Sequence, residues 1–259
     1  MYVHNLDPIL IDLGIVSLRW YSLSYILGIL IGWWYGKFII VKIINKEQKN
    51  LDLSHFDDLI SYIIISIIVG GRLGYVIFYN FDFYLNNPSE IFKVWKGGMS
   101  FHGALIGVIL GCYFFSINKK IKIFHLLDVL ACVTPIGLFL GRIANFINGE
   151  LYGKVTNLSY GVIFPEVDNS LRHPSQLYEA FLEGVILFLI VNFFMLKKKY
   201  LDGFCSSIFL IIYGISRIIS EIFREPDQQI GYILNLFTLG SILSFFMIIF
   251  GILILTRLK

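Results

Sequence analysis

Residues 236–255 read LFTLGSILSFFMIIFGILIL and residues 59–71 read LISYIIISIIVGG, and these runs decide the fold class. They are apolar without interruption, whereas the strands of a membrane barrel would alternate with a period of two. A transmembrane helix needs about 20 predominantly apolar residues. The whole 259-residue chain follows suit, with 57% hydrophobic and 15% charged residues and a mean hydropathy of +0.75. No soluble domain of this size has that balance. The expectation is an all-α polytopic membrane protein forming a single integral membrane domain over residues 1–259.

Working outward from these runs predicts seven transmembrane helices, at about 18–40, 56–79, 99–117, 124–146, from HPSQLYEA (173–180) to just before Lys197, 204–223 and 231–255. Residues 1–17 read as a mixed interfacial segment, and the first run is too long for a signal-peptide core and lacks a small-residue cleavage site. Residues 147–172, rich in Gly, Asn and Ser, predict a small cap of irregular or short β structure between spans four and five. Basic residues follow spans one (Lys42, Lys46, Lys49), three (Lys119, Lys120, Lys122), five (Lys197, Lys198, Lys199) and seven (Arg257, Lys259). The positive-inside rule therefore makes those ends cytoplasmic, with the N-terminus and the cap outside. The net charge of +3 gives no reason to expect nucleic acid. Cys112, Cys132 and Cys205 stand singly in apolar runs, which reads as buried small residues, with neither a disulfide framework nor a metal site. No cofactor is expected.

Against this apolar background, GRIANFINGELYG (141–153) places Arg142, Asn145, Asn148 and Glu150 within nine positions. A charge at membrane depth is costly unless it faces protein or a wet cavity, so it marks a functional site by default. The structural alternative is a plain Arg142–Glu150 ion pair. Arg142 and Asn145 share a helix face at three apart, and Gly149 and Gly153 allow a chain break and close backbone approach. A second polar stretch, YGISRIISEIFREPDQQIG (213–231), spaces Tyr213, Arg217, Glu221 and Arg224 at four, four and three, one stripe down a helix. Arg217 and Glu221 can pair at that spacing. Arg72, Arg142, Arg217 and Arg224 outnumber the carboxylates noticed beside them and fall toward the outward ends of their spans. Guanidinium grips phosphate in a bidentate manner, so these residues suggest an anionic lipid head group.

His102 stands among Gly97, Gly98 and Gly103 near the start of span three. It reads either as a hydrogen-bonded structural residue or as a base that takes a proton from a thiol or hydroxyl. Tyr25 lies one turn beyond the interfacial Tyr21. Asp128 reads as helix-start chemistry for span four.

GGRLGYVIFYN, SFHGALIG, GRIANFINGELYG, RHPSQLYEA and YGISRIISEIFREPD occur in this order over nearly the whole chain, which thereby resembles the prolipoprotein diacylglyceryl transferases, bacterial membrane enzymes. GRIANFINGELYG matches the family signature G-R-x-[GA]-N-F-x-N-x-E-x-x-G at every defined position. The usual HGGL reads His102, Gly103, Ala104, Leu105 here, with Ala for the second Gly. The resemblance implies transfer of diacylglyceryl from phosphatidylglycerol, in the bilayer of the bacterial inner membrane, to the lipobox cysteine of a preprolipoprotein signal peptide. It implies that Arg142 and Arg217 hold the lipid phosphate, with Asn145, Glu150 and Gly153 in the substrate-binding stretch and Arg72 nearby. It further implies His102 as the family histidine proposed as base, Glu221 and Arg224 as organisers of Arg217, and Tyr25 as a tyrosine required for activity. A transporter for anionic lipid is the competing class, but the chain shows no clear pair of repeats. A structural or sensory subunit would leave the arginines unexplained.

Overall fold

The computed structural model describes residues 2–12, 14, 17–44, 51, 53–197, 202–226, 231–233 and 236–258. Lys46, Lys49, Lys198, Lys199 and Lys259, which carry part of the positive-inside reading, lie outside the described residues. Among the described residues, seven helices are long and apolar enough to cross a membrane. The chain forms two compact units, one of residues 1–36, 130–226 and 232–259, the other of residues 37–129 and 227–231.

The second unit is built on α2 (Leu53–Tyr79) and α4 (Phe101–Lys119). These helices meet through small residues: a Cβ on Gly74 would lie 2.5 Å from Gly103 Cα, and one on Gly70 would lie 2.8 Å from Gly107 Cα. In lipid, where apolar side chains gain nothing by leaving their neighbours, such close backbone approach is a main source of helix association. Ser100 caps α4, its Oγ accepting from Gly103 N at 3.2 Å, while Ser100 N donates to Gly71 O at 2.9 Å. Between the two spans run α3 (Phe81–Asn86) and two short 3-10 turns, Pro88–Phe92 and Val94–Lys96.

In the first unit, α1 (Trp20–Ile39) up to Gly36, α5 (Ile123–Ile147) from Leu130, a fifth span and α8 (Phe204–Phe223) with α9 (Leu239–Arg257) supply the membrane part. The fifth span runs from α6 (Ser175–Glu179) through a π-helical stretch, Ala180–Ile186, into α7 (Leu187–Lys197). Asn192 joins three of these helices. Its Nδ2 donates to Cys132 O at 3.1 Å and Phe188 O at 2.9 Å, and its Oδ1 accepts from Tyr35 at 2.9 Å. The cysteines at 112, 132 and 205 are buried free thiols.

One boundary and one residue reading differ from the sequence expectation. Span seven starts at Leu239 rather than 231, because Thr238 caps the helix by accepting from Ser241 N at 3.1 Å, and Ile233 and Phe237 pair as a short bridge ahead of it. Asp128 sits beyond the first turn of α5 and is buried, so it is not a helix-start residue.

The segment between spans four and five contains two short strands, β4 (Val162–Ile163) antiparallel to β5 (Leu171–Arg172). The N-terminal segment joins it, which the sequence reading did not anticipate. Tyr2–Val3, β1, pairs parallel with β4, and His4 Nε2 bonds Phe146 O at 2.7 Å. A hairpin of β2 (Ile9–Asp12) and β3 (Ser17–Arg19) then leads into α1.

Candidate active site

The site grows from the end of α5. After Ile147 the helix stops in a tight turn where Gly149 takes a φ of +67°, a backbone region that favours glycine. The turn folds Glu150 back: its N–H donates to Asn145 O at 3.1 Å, and its Oε1 accepts from Asn145 Nδ2 at 2.8 Å and Asn148 Nδ2 at 3.4 Å. Two buried residues of α6 hold the same turn by its carbonyls, Gln176 Nε2 on Glu150 O at 2.6 Å and Ser175 Oγ on Leu151 O at 3.0 Å. Gly153 fits where nothing larger would. A Cβ there would lie 2.5 Å from His173 O and 2.7 Å from Phe223 O. Its N–H donates to His173 O at 2.9 Å, and it bridges to Arg224 at the end of α8.

One turn back in α5, Arg142 faces the fifth span. Its Nη1 lies 2.9 Å from Glu179 and its Nη2 2.9 Å from Glu183. From α8, Arg217 meets Glu179 at 2.9 Å and Glu221 at 2.5 Å, and Arg224 meets Glu179 at 3.3 Å. Glu179 and Glu183 are fully buried. On α1, the Tyr25 hydroxyl donates to Tyr21 at 3.0 Å.

This geometry corrects two readings. Arg142 takes its carboxylate partners from the fifth span, not from Glu150. The supposed excess of arginine also disappears in this unit, since Glu179, Glu183 and Glu221 match Arg142, Arg217 and Arg224. Glu179 and Glu183 are the residues the sequence reading missed. The signal was present, because two carboxylates four apart in an apolar helix share one face and are costly there without partners. What the cluster offers a ligand is therefore a set of pinned guanidinium N–H groups rather than bare positive charge.

The structure gathers Tyr25, Arg142, Asn145, Glu150, Gly153, Arg217, Glu221 and Arg224 in the first unit. Arg72 and His102 belong to the second. There Arg72 is buried and spends its donors on backbone carbonyls: Nε on Ile91 O at 2.8 Å, Nη1 on Gly97 O at 2.5 Å and Gly98 O at 3.2 Å, Nη2 on Glu90 O at 2.6 Å and Lys93 O at 3.3 Å. Its guanidinium also covers the Tyr84 ring at 5.2 Å. In this arrangement Arg72 pins the 88–98 loop and has nothing left over for a phosphate. His102 is the second residue of α4, buried, with its ring edge-on to Phe101.

Outside the spans, several groups are shifted by their neighbours. Hydrogen bonds from Lys93 and Lys96 pull the Glu90 carboxyl down to about 2. In the cap, Arg172 holds Asp168 below the usual carboxylate range. Partial burial, with Lys154 nearby, lowers His173.

Residues 8–257 match the family model described as prolipoprotein diacylglyceryl transferase. The chain belongs to this family. It is 52% identical over 261 residues to the phosphatidylglycerol–prolipoprotein diacylglyceryl transferase of Rickettsia typhi, covering 100% of this chain and 99% of that protein. The Rickettsia felis protein of the same name is 53% identical over 249 residues, 95% of each chain. That of Rickettsia bellii is 51% identical over 255 residues, covering 98% of this chain and 95% of its own. This member of the prolipoprotein diacylglyceryl transferases is thus a multi-pass membrane transferase.

Proposed function

We propose that the chain transfers the diacylglyceryl group of phosphatidylglycerol to the thiol of the lipobox cysteine in a preprolipoprotein, the first step of bacterial lipoprotein maturation. The observation that carries this reading is the gathering of Arg142 and Arg217 on one buried carboxylate, beside the bonded pair Asn145 and Glu150. The thiolate sulfur attacks the glyceryl carbon that bears the phosphate ester. A C–S thioether bond forms, the C–O bond breaks, and its electron pair leaves with glycerol 1-phosphate. Negative charge grows on that phosphate, so pinned guanidinium donors aimed at it lower the barrier more than they bind the ground state.

The nucleophile belongs to the substrate. A thiol with a pKa near 8.5 needs only modest help to ionise, and His102 is the residue we assign to take its proton. Asn145 and Glu150 shape the pocket, and Glu221 and Arg224 steady Arg217. Tyr25 completes the polar lining, and Gly153 lets the cap backbone lie close. Residues 1–259 act as one membrane-embedded domain in the inner membrane, with the N-terminus and cap outward and the C-terminus cytoplasmic, so the chemistry proceeds at the outer leaflet.

The test is reconstitution of the purified protein with phosphatidylglycerol and a lipobox peptide, reading peptide mass and released glycerol phosphate. A gain of one diacylglyceryl unit, lost with a Cys→Ala peptide and with Arg142→Ala enzyme, is the expected result. Labelled lipid moved across the bilayer with no covalent product would replace the reading with a transporter.

A further inference from the structure

Glu179 receives ion pairs from three arginines on two helices. Its Oε2 meets Arg142 of α5 at 2.9 Å, while its Oε1 meets Arg217 at 2.9 Å and Arg224 at 3.3 Å at the far end of α8. The side chain is fully buried, and the helix is rewound into the π-helical stretch starting at the next residue, the kind of insertion often found at functional sites. A carboxylate that collects three leaves its neighbours over-supplied with positive charge, and Glu183 and Glu221 restore the balance by taking the outer faces of Arg142 and Arg217. The two oxygens of this one carboxylate serve Arg142 and Arg217 separately, so Glu179 bridges the two guanidiniums at 2.9 Å each, more closely than Glu183, which reaches them at 2.9 Å and 3.6 Å, while Glu221 holds Arg217 from its own helix.

We propose that Glu179 is a positioning residue for the transfer reaction. It fixes Arg142 and Arg217 at the separation at which their remaining N–H groups meet one phosphate of the anionic lipid and follow it as it becomes the leaving group. This assignment rests on the transferase reading above. Glu179 touches no reacting atom and acts through the two arginines. A neutral amide at this position keeps the shape but turns an N–H donor toward guanidinium donors. An aspartate keeps the charge but draws it back by one methylene.

The experiment measures wild type, Glu179→Gln and Glu179→Asp in phosphatidylglycerol mixed micelles, varying lipid and lipobox peptide separately, with thermal unfolding and gel-filtration profiles of each. A misplacement of about 1 Å in a catalytic array costs about 100-fold, so kcat/KM for the lipid should fall by about 100-fold in Glu179→Gln and by about 10-fold in Glu179→Asp. The KM for the peptide should stay within about two-fold in both, since uniform loss of structure would move it as well. If Glu179→Gln folds and turns over lipid at the wild-type rate, the proposal is wrong. It is equally wrong if lipid and peptide constants worsen together, or if neither variant folds, since Glu179 then serves only the fold. Should Glu179→Gln alone fail to fold, Glu179→Asp decides: a selective loss toward the lipid supports positioning, and wild-type constants overturn it. An inactive wild-type protein would instead fault the transferase reading, so the two failures are told apart.

Discussion

Glu183 Oε2 accepts from two nitrogens of Arg142, Nε at 3.2 Å and Nη2 at 2.9 Å. This sideways grip fixes the plane of the guanidinium while Nη1 is held by Glu179. The orientation of Arg142 is therefore set from both sides before any lipid arrives.

Arg142→Lys should lose transfer nearly as completely as Arg142→Ala. An ammonium keeps the charge but cannot answer two carboxylates and a phosphate in fixed directions. Loss of a single transition-state donor typically costs about 100- to 1000-fold in kcat, and that drop is expected here in the peptide-mass assay. A Lys variant within about ten-fold of wild type would mean that charge alone suffices.

Gly153→Ala places a methyl group against His173 O and Phe223 O, both backbone atoms that cannot swing away. Such overpacking costs about 1–3 kcal/mol. It should appear as a lower unfolding temperature and faster hydrogen exchange in the peptides carrying residues 150–172. Because the insertion also pushes on the bridge to Arg224, activity should fall alongside stability.

Asn192→Leu removes three hydrogen bonds, two of which tie α7 to α1 and α5. Interhelical hydrogen bonds in membranes are worth about 0.6 kcal/mol each and at most about 1.7, so a loss of about 1–2 kcal/mol is expected. Denaturation in mixed micelles would read it. Transfer activity at low temperature should be unaffected, because Asn192 makes no contact with the arginine cluster.

Acid should loosen the cap in two steps. His173 has a lowered pKa in the fold, so its contribution is complete above its ordinary value of 6.5 and is lost as pH falls from there through the folded value. Asp168 is also lowered, so its contribution is complete above 3.8 and goes as pH falls further. By linkage both losses run in the same direction. Hydrogen exchange of residues 153–173, corrected for intrinsic rates, should speed up in two stages on acidification, and His173→Asn should remove the upper one.

The spans were legible because hydropathy is a local property: twenty apolar residues report their environment without reference to any partner. Arg142 and Arg217 were legible for the converse reason, each standing out against its own helix. Glu179 and Glu183 passed unnoticed because the charges that justify them lie on α5 and α8, far away in sequence, so an apparent surplus of arginine was inferred where there is balance. Arg72 was grouped with the other arginines on charge alone, and only the fold of the 88–98 loop revealed that its donors end on carbonyls. The start of span seven was misread because the residues ahead of Thr238 are nearly as apolar as those after it, and the cap that starts the helix is a hydrogen bond rather than a change in polarity. The Ala at position 104 in place of the second Gly stands beside the glycine contacts of α2 and α4 without disturbing them: a Cβ on Gly71 would still meet Ala104 Cβ at an ordinary 3.6 Å.

The strand at Tyr2–Val3 lies against Val162–Ile163, and His4 reaches Phe146, 142 residues further along. During synthesis, then, Tyr2–Val3 lacks this partner strand until the chain has been made as far as Ile163, four spans later. A bulky group placed beside Tyr2 would therefore weigh on this strand pairing rather than on insertion of the first span.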